Sequence, residues 1–369
     1  MSDDTTDRRR EAGVQTLSDP LFESSSSEET PWPETDPQPD DEFWFADGDL
    51  ILVAGNVEFR VYKEPLLLHS SVLREMLDNQ EAELAQNASP QPDRGDCSKL
   101  LLSDPPDDVR HFLQGLFAGS VLRVGMIHPS YAELSAQIRL GHKYGVKQMV
   151  QSSVDYLQEH FPETTSPIKK WEFKYRFKPP GFQPTHAIGV VNLARLADAH
   201  SLLPASLMAC ALLGQELTKG FTRPDGTQET LSRDDLLRCV VGRAAWTKAC
   251  TTASHKVFQR TISSDCIRRE KCKPVFDKIL ARLADAENAM FDVTFHTSSA
   301  WTSHVNASDP DRVLCPWCYD MVGVWESGRQ LEQATELLRR IPEVFGVSVS
   351  DSDERRVESK ELADSDDED

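Results

Sequence analysis

The sequence predicts an α+β fold in which a small sheet with helices packed on it precedes a mainly helical domain. Three observations predict this fold. Residues 50–61 contain two apolar strands around a tight turn, and the second strand alternates apolar and polar residues. Residues 187–341 are dominated by segments of helical composition. Both ends of the chain are acidic and poor in apolar residues, which predicts disordered tails.

The charge of the chain is concentrated in these tails. The net charge is −20 at pH 7, of which residues 1–42 contribute −10 (13 acidic residues against 3 Arg) and residues 350–369 contribute −7 (10 acidic against 3 basic). Only −3 remains for the residues between them. The part of the chain between the tails is nearly neutral and so lacks the basic face that phosphate groups require. Neither nucleic acid nor an anionic membrane is therefore an expected partner.

A β-hairpin is the first predicted element. Residues 50–53 form one strand, residues 57–61 form the other, and Gly55-Asn56 has the spacing of a two-residue turn. Pro65 suits the first turn of a helix that comes directly after the hairpin. One face of that helix is formed by Leu66, Ser70, Leu73, Met76 and Leu77.

Turn and cap signals predict the elements after the first helix. Residues 78–99 lose periodicity and gain Pro, Asn and Gly, which indicates an exposed insertion loop ending near a short strand. Asp104 before two prolines predicts the start of a helix. Ser130 and Glu133 form a capping-box pattern, and the helix that it opens should end at Gly145.

These signals divide the chain into five parts. The predicted parts are a disordered tail at 1–42, a first domain at 43–162, a linker at 163–183, a helical domain at 184–345 and a disordered tail at 346–369. No apolar run approaches the roughly 18 residues that a membrane helix needs. The polar N-terminal residues do not resemble a secretion signal, so the cytoplasm or nucleus is expected, with the eight cysteines reduced.

Four separated segments resemble one known family. The hairpin and first helix are similar to the opening of a BTB/POZ domain, a protein–protein interaction module. Residues 100–120 resemble its next strand and helix, and residues 133–157 resemble its closing helices. The resemblance covers residues 43–162, and the chain as a whole is similar to BTB proteins abundant in mushroom-forming fungi. In the first of these segments the resemblance rests on Asp49, Phe59, Val61, Tyr62, Leu66, Ser70 and Leu73.

The resemblance implies a non-enzymatic adaptor or scaffold that self-associates by burying an apolar helix face and a hairpin edge. It also implies, as an alternative, a substrate adaptor of a cullin-type ubiquitin ligase. The insertion at residues 78–99 counts against that alternative because it falls near the surface where such scaffolds dock. Tyr62 and Leu73 stand where the family often has His and Phe, and both still fill the fold.

The apolar residues of the motif have two interpretations. Phe59, Val61, Leu66, Leu73 and Met76 could line a groove for a partner, but burial statistics favour plain core for each of them. An interface would then lie among exposed residues that a single sequence does not identify. Signatures of nucleotide-binding loops, zinc proteases and serine hydrolases are missing from the sequence, so we expect no enzymatic activity.

The sharpest local motif is Cys315-Pro316-Trp317-Cys318, whose spacing suits one edge of a zinc site. A tetrahedral site needs two more ligands, either Cys266 with Cys272 or His296 with His304. A structural zinc would make the chain a zinc-stabilised nuclear regulator. The competing interpretation is a set of packed free thiols. A thioredoxin-like redox motif would require a preceding strand and a following helix, and the flanking sequence lacks that alternation.

Overall fold

The computed structural model describes residues 36–87, 97–117, 128–162, 179–257, 262–284, 298–323 and 329–347. Within these ranges the chain is a mixed α+β protein, as the sequence predicts, with a small sheet and many helices. The four-stranded sheet has the order β1-β3-β2-β4, and a second sheet pairs β5 with β6. The strands are β1 Gln38–Trp44, β2 Leu50–Ala54, β3 Val57–Val61, β4 Ser98–Leu102, β5 Phe221–Thr222 and β6 Gln228–Glu229.

The helices fall into two groups along the chain. Those that accompany the four-stranded sheet are α1 Lys63–His69, α2 Ser71–Asn87, α3 Pro106–Phe117, α4 Tyr131–Lys143 and α5 Lys147–His160. The later helices are α6 His186–Leu196, α7 Leu203–Ala211, α8 Glu216–Lys219, α9 Arg233–Val257, α10 Arg269–Ala284, α11 Ser298–Ser308, α12 Pro316–Gly323, α13 Arg329–Arg339 and α14 Ile341–Phe345. A short 3₁₀ turn, His200–Leu202, precedes α7.

The predicted hairpin is confirmed. Strands β2 and β3 pair antiparallel from Leu50 opposite Val61 to Ala54 opposite Val57. Gly55 in the turn has φ +55°, a left-handed conformation that glycine adopts without steric cost. Strand β4 runs parallel to β2 on its other side.

Helix starts agree closely with the sequence signals. Ser130 accepts the backbone N–H of Glu133, and the Glu133 carboxylate accepts the N–H of Ser130, so the capping box is formed. Helix α3 begins at Pro106, directly after the two-proline signal. Gly145, just beyond the end of α4, has φ +72°. Such caps depend on neighbouring residues alone, which is why the sequence reveals them.

Three boundaries differ from the predictions. The predicted tail at residues 1–42 is too long, because strand β1 already begins at Gln38. Asp40 explains this, since its buried carboxylate accepts the N–H of Phe43 and pairs with Arg110 at 2.8 Å. The insertion loop at 78–99 is also wrong at both ends, because α2 continues to Asn87 and β4 begins at Ser98. Residues 88–96 lie outside the described residues.

The single helix predicted from Pro65 to Leu77 is in fact two helices. Ser70 separates α1 from α2 with an extended backbone, at φ −131° and ψ 109°. Its hydroxyl donates to the carbonyl of Tyr144 at 2.6 Å and accepts the N–H of Leu73 at 2.9 Å. The break is therefore held by a residue 74 positions away along the chain.

Two large cores share the same pair of helices. The sheet core lies between the four-stranded sheet and helices α1 to α4, and it includes Leu52, Phe59 and Tyr144. The helical core is formed by α6, α7, α9 and the C-terminal helices. Helices α4 and α5 contribute to both cores, so residue 162 does not separate two independent cores. The described residues from 37 onward accordingly form one unit.

Buried polar bridges add to this connection. Arg139 on α4 contacts both carboxylate oxygens of Glu229 on β6 at 2.9 Å. Arg223, beside β5, contacts Asp108 on α3 at 2.6 Å. Because these charges are partly or largely buried and each has a partner, they fix how the small hairpin sits on the helices.

A third core is separate and small. This cysteine core contains buried residues from the end of α9, from α10 and from α11 and α12, and these are Val257, Cys272, Val275, Phe276, Ile279, Val305, Leu314, Cys315, Cys318 and Val322. So few apolar side chains supply little free energy of folding by themselves.

A tight contact between α4 and α6 predicts the first mutational result. A Cβ at Gly189 would lie 1.8 Å from the hydroxyl oxygen of Tyr131, whereas a Cβ at Gly115 would meet only flexible side-chain ends at 3.1 Å or more. Gly189→Ala should lower the free energy of unfolding by about 1–3 kcal/mol because it overpacks a full core. Gly115→Ala, also in a helix, should be neutral or stabilise by up to about 1 kcal/mol. Urea denaturation measures both, and equal effects would contradict the proposed packing.

Candidate interaction surface and metal centre

Most residues of the predicted motif lie in the interior. Phe59, Val61, Leu66, Leu73 and Leu77 are buried in the sheet core. Met76 is half-buried and packs against the same core. Their role is to hold the hairpin and the helices together, which confirms the core interpretation over a partner groove for these side chains.

Asp49 and Ser70 act on the backbone of the two helices. The carboxylate of Asp49 accepts the N–H of Lys63 at 2.7 Å, at the start of α1. Ser70 is buried and joins the start of α2 to the end of α4. Both satisfy backbone groups that a helix terminus leaves without partners, so their function here is structural.

Tyr62 lies at the surface, directly before the start of α1. Its hydroxyl donates to Asp47 at 2.7 Å, and its ring stacks on Phe45 with centroids 5.1 Å apart. The hydrogen bond to Asp47 raises the pKa of Tyr62 above its ordinary value. The residue is 38% exposed, which leaves part of the ring available for contact.

An open groove of about 360 Å³ lies along α1 and the start of α2. We call it the α1 groove, and it is lined by Asp49, Lys63, Glu64, Leu67, Leu68 and Arg74. Leu68 is 73% exposed. The guanidinium of Arg74 donates to the carbonyl of Leu67 at 2.6 Å and holds one side of the groove in place.

Sequence reasoning missed Leu68 as a surface residue, whereas its neighbour Leu67 is half-buried and packs against the sheet core. The run Leu66-Leu67-Leu68 carries the signal, because a helix that buries Leu66 turns Leu68, two positions further on, away from the core. Leu66 is in the sheet core, and Leu68 points outward as a result. A single exposed leucine is ordinary on a protein surface, and Leu68 is of interest because it lies in a groove with a charged rim.

The second candidate site is a cluster of four cysteines. The sulfur atoms of Cys266, Cys272, Cys315 and Cys318 all lie within 4.8 Å of one another. Cys272 lies in the first turn of α10 and Cys318 in the first turn of α12. Cys266 and Cys315 lie in the segments just before these helices. Two similar loop-and-helix elements therefore each contribute two sulfurs.

Backbone amides point at this sulfur cluster. The N–H of Cys315 donates to the sulfur of Cys272 at 3.3 Å, and the sulfurs of Cys315 and Cys266 are 3.7 Å apart. Further backbone N–H groups, those of Ile267 and Cys318, donate to the Cys315 sulfur. Such donors stabilise negative charge on sulfur, which is the form of cysteine that binds metals.

The electrostatics of the cluster are asymmetric. Burial raises the pKa of the Cys315 thiol, but hydrogen bonds from Cys318, Ile267 and Cys266 outweigh it and lower the pKa to about 6. Burial raises the pKa of Cys272 and of Cys318 above the ordinary value. These shifts favour the thiolate at Cys315 and the protonated thiol at Cys272 and Cys318. A divalent cation that bound here would replace the protons of Cys272 and Cys318.

Of the alternative ligand pair, His304 is not brought to this cluster. His304 is buried, and its Nε2 lies 3.1 Å from the carbonyl oxygen of Ile279. It is not part of the cysteine group. His296 lies outside the described residues. Of the two pairs that the sequence leaves open, the structure places Cys266 and Cys272 beside the Cys-x-x-Cys motif, which is compatible with a structural metal site.

The loop before Cys315 is itself well ordered by hydrogen bonds. The buried carboxylate of Asp309 accepts the N–H of Val313 at 2.8 Å and of Leu314 at 2.9 Å. This pins the chain immediately ahead of the first sulfur of the motif. Trp317, between the two cysteines of the motif, is left exposed.

Comparison with protein-family models, curated proteins and solved structures found no match to this chain. Among the helices within the described ranges, none combines the length and apolar character that crossing a bilayer requires.

The role of Ser70 gives the second prediction. Ser70→Ala should lower the free energy of unfolding by about 1–3 kcal/mol, since the Tyr144 carbonyl and the Leu73 N–H lose a buried partner. The exposed neighbour Ser71 offers a matched control, because Ser71→Ala should change stability by less than about 0.5 kcal/mol. Chemical denaturation of both variants measures the difference. An unchanged midpoint for Ser70→Ala would show that the bridge is not needed.

Proposed function

We propose that this chain is a non-enzymatic protein–protein interaction module of the BTB/POZ type, an adaptor or scaffold that associates with itself. The element order supports the proposal. A hairpin, a helical segment divided at Ser70 into α1 and α2, a strand parallel to β2 and a further helix succeed one another, which is the order of the resemblance apart from that division. The observation that carries the proposal is the α1 groove with its exposed Leu68.

The lining of the α1 groove suits docking better than catalysis. Two leucines supply apolar contact, and four charged side chains of both signs surround them. The Asp49 carboxylate is already bonded to the Lys63 amide, so it is fixed in a structural role. A groove with an apolar centre and a polar rim is the usual anatomy of a protein interface.

A symmetric dimer would fit this surface because the rim carries both acidic and basic residues. In a two-fold contact each patch meets its own copy, so Glu64 of one chain can face Lys63 or Arg74 of the other. The leucines would then lie at the centre of the contact and be shielded from water. Cytoplasmic or nuclear location is compatible with this role.

Self-association gives the third prediction. The purified full-length chain should sediment as a dimer at micromolar concentration, and Leu68→Asp should shift it to monomer because a carboxylate would be buried at the contact. Leu101→Asp, at a position 69% exposed on β4, is the matched control and should leave the dimer unchanged. A wild-type chain that sediments as a monomer over this range would refute self-association. Recovery of a cullin in a cross-linked pull-down would instead identify the scaffold of a ubiquitin ligase as the partner.

The cysteine cluster supports a second, structural element of the proposal, a resident zinc ion. Tetrahedral zinc holds four sulfurs at about 2.3 Å, which places the sulfurs about 3.8 Å from one another. The observed spread of up to 4.8 Å, and 3.7 Å for Cys266 to Cys315, needs only a small contraction. Four protein ligands leave no open position for a substrate, so the ion would be structural, in a zinc-stabilised regulator.

Zinc would supply the folding energy that the cysteine core lacks. Three of its ten buried residues are cysteines, and in a site of this kind the binding energy of the metal is folding energy. The ion would tie the loop before α10 to the loop before α12. The chain's own contribution is to hold the four sulfurs and to direct backbone amides at them.

Metal content gives the fourth prediction. Protein purified without chelator should contain about one zinc per chain by mass spectrometry of the metal, and Cys315→Ser should abolish it. Cys97→Ser, outside the cluster, should retain the zinc. Chelation should raise hydrogen exchange in α10 and α12 and leave the four-stranded sheet protected. A zinc content well below one ion per chain in the wild type would refute the proposed structural zinc.

A further inference from the structure

The four clustered sulfurs are shared between two separate elements of the chain. Cys266 and Cys315 lie in the segments that precede α10 and α12, whereas Cys272 and Cys318 lie in the first turns of those helices. The sulfurs of Cys266 and Cys315 contact each other directly at 3.7 Å, although the two residues are 49 positions apart. Their contact therefore crosses from one element to the other, and it differs from the pair within the Cys-x-x-Cys motif.

Cys266 is the partly exposed member of this group. The residue is half-buried, whereas Cys272, Cys315 and Cys318 are buried. Its neighbour Ile267 is 70% exposed, so the chain reaches the surface at this point. A small oxidant such as hydrogen peroxide would thus approach the cluster from the side of Cys266. A partly exposed cysteine with a second thiol beside it is the arrangement found in redox-sensitive sites.

A disulfide between Cys266 and Cys315 requires only a small movement. An S–S bond is about 2.0 Å long, so the two sulfurs must approach each other by about 1.7 Å. Cys266 can supply this movement, because it follows a turn in which Ser264 and Asp265 are exposed. Cys272 is held more firmly, since it lies inside α10 and its sulfur accepts the N–H of Cys315.

We propose that Cys266 and Cys315 form a redox modification site, at which hydrogen peroxide converts the two thiols into a disulfide. The thiolate of Cys266 attacks one peroxide oxygen, so that an S–O bond forms, the O–O bond breaks and hydroxide leaves. The thiolate of Cys315 then attacks the Cys266 sulfur, so that the S–S bond forms and the S–O bond breaks. Each hydroxide takes up a proton and becomes water, and the two sulfurs give two electrons to the peroxide.

This inference deepens the proposed zinc site and rests on it only for the fate of the ion. The disulfide removes two of the four sulfur ligands, and Cys272 and Cys318 alone do not complete a tetrahedral site. Zinc would therefore leave as Zn²⁺, with its oxidation state unchanged. The disulfide joins the same two elements as the ion, so the segments before α10 and α12 would stay linked after the metal has gone.

The test treats the purified full-length protein with one equivalent of hydrogen peroxide and then alkylates the remaining thiols. Digestion with trypsin and chymotrypsin, with cleavage after Arg268 and Trp317 among other sites, places the four clustered cysteines on separate peptides. Mass spectrometry should identify a disulfide from Cys266 to Cys315 that disappears on reduction with dithiothreitol. A disulfide within the Cys-x-x-Cys motif, or no disulfide in the cluster, would overturn the proposal.

Variants separate this pair from the cluster as a whole. Cys318→Ser keeps both sulfurs of the pair and should still form the disulfide, although it lacks one zinc ligand. Cys266→Ser should abolish it, and Cys97→Ser, at a half-buried cysteine outside the cluster, should match the wild type. Circular dichroism before oxidation verifies that each variant is folded. Loss of the disulfide from folded Cys318→Ser would contradict the assigned pair.

A chromogenic chelator measures zinc release in the same experiment. Zinc-loaded protein should release about one ion for each disulfide formed, because a single tetrahedral site is dismantled. Zinc that stays bound when the disulfide is complete would overturn the proposed loss of the ion. Protein that contains no zinc at any stage and still forms the disulfide would refute the structural zinc and support the modification site, so the two failures are distinguishable.

Discussion

The position of α4 is the constraint on which the rest of the fold depends. One side of this helix completes the sheet core through Leu140, and the other enters the helical core through Leu134 and Ile138. At its start, Tyr131 lies against Gly189, where no side chain would fit. Burial raises the pKa of Tyr131 to about 12, so its phenol remains neutral at this crowded point. A helix shared in this way makes the two halves one body.

The cysteine core differs in kind. Apolar burial over the two larger cores is extensive, whereas the third core is small and has sulfur at its centre. Its buried His304 has a pKa below the ordinary value, because burial disfavours the charged ring. A group of that kind stabilises the fold above its unfolded pKa and loses that contribution as the pH falls.

Local features of the fold could be predicted from the sequence, and distant ones could not. The turn at Gly55, the capping box at Ser130 and the start of α3 depend on residues a few positions apart. The break at Ser70 depends on Tyr144, far away in the chain, so helical periodicity alone does not reveal it. The choice between cysteine and histidine ligands likewise requires knowing which segments meet. Leu68 was missed because periodicity identifies the buried face of a helix and leaves the functional use of its exposed face open.

The central claim is that this body recruits another polypeptide through the α1 groove, first of all a second copy of itself. Cross-linking of an equal mixture of unlabelled and ¹⁵N-labelled chains tests it directly, because Lys63 lines the groove. We expect mixed-isotope cross-links from Lys63 of one chain to the α1 region of another. The claim would be contradicted if Lys63 reacted with only one end of the reagent and every cross-link joined two residues of the same isotope.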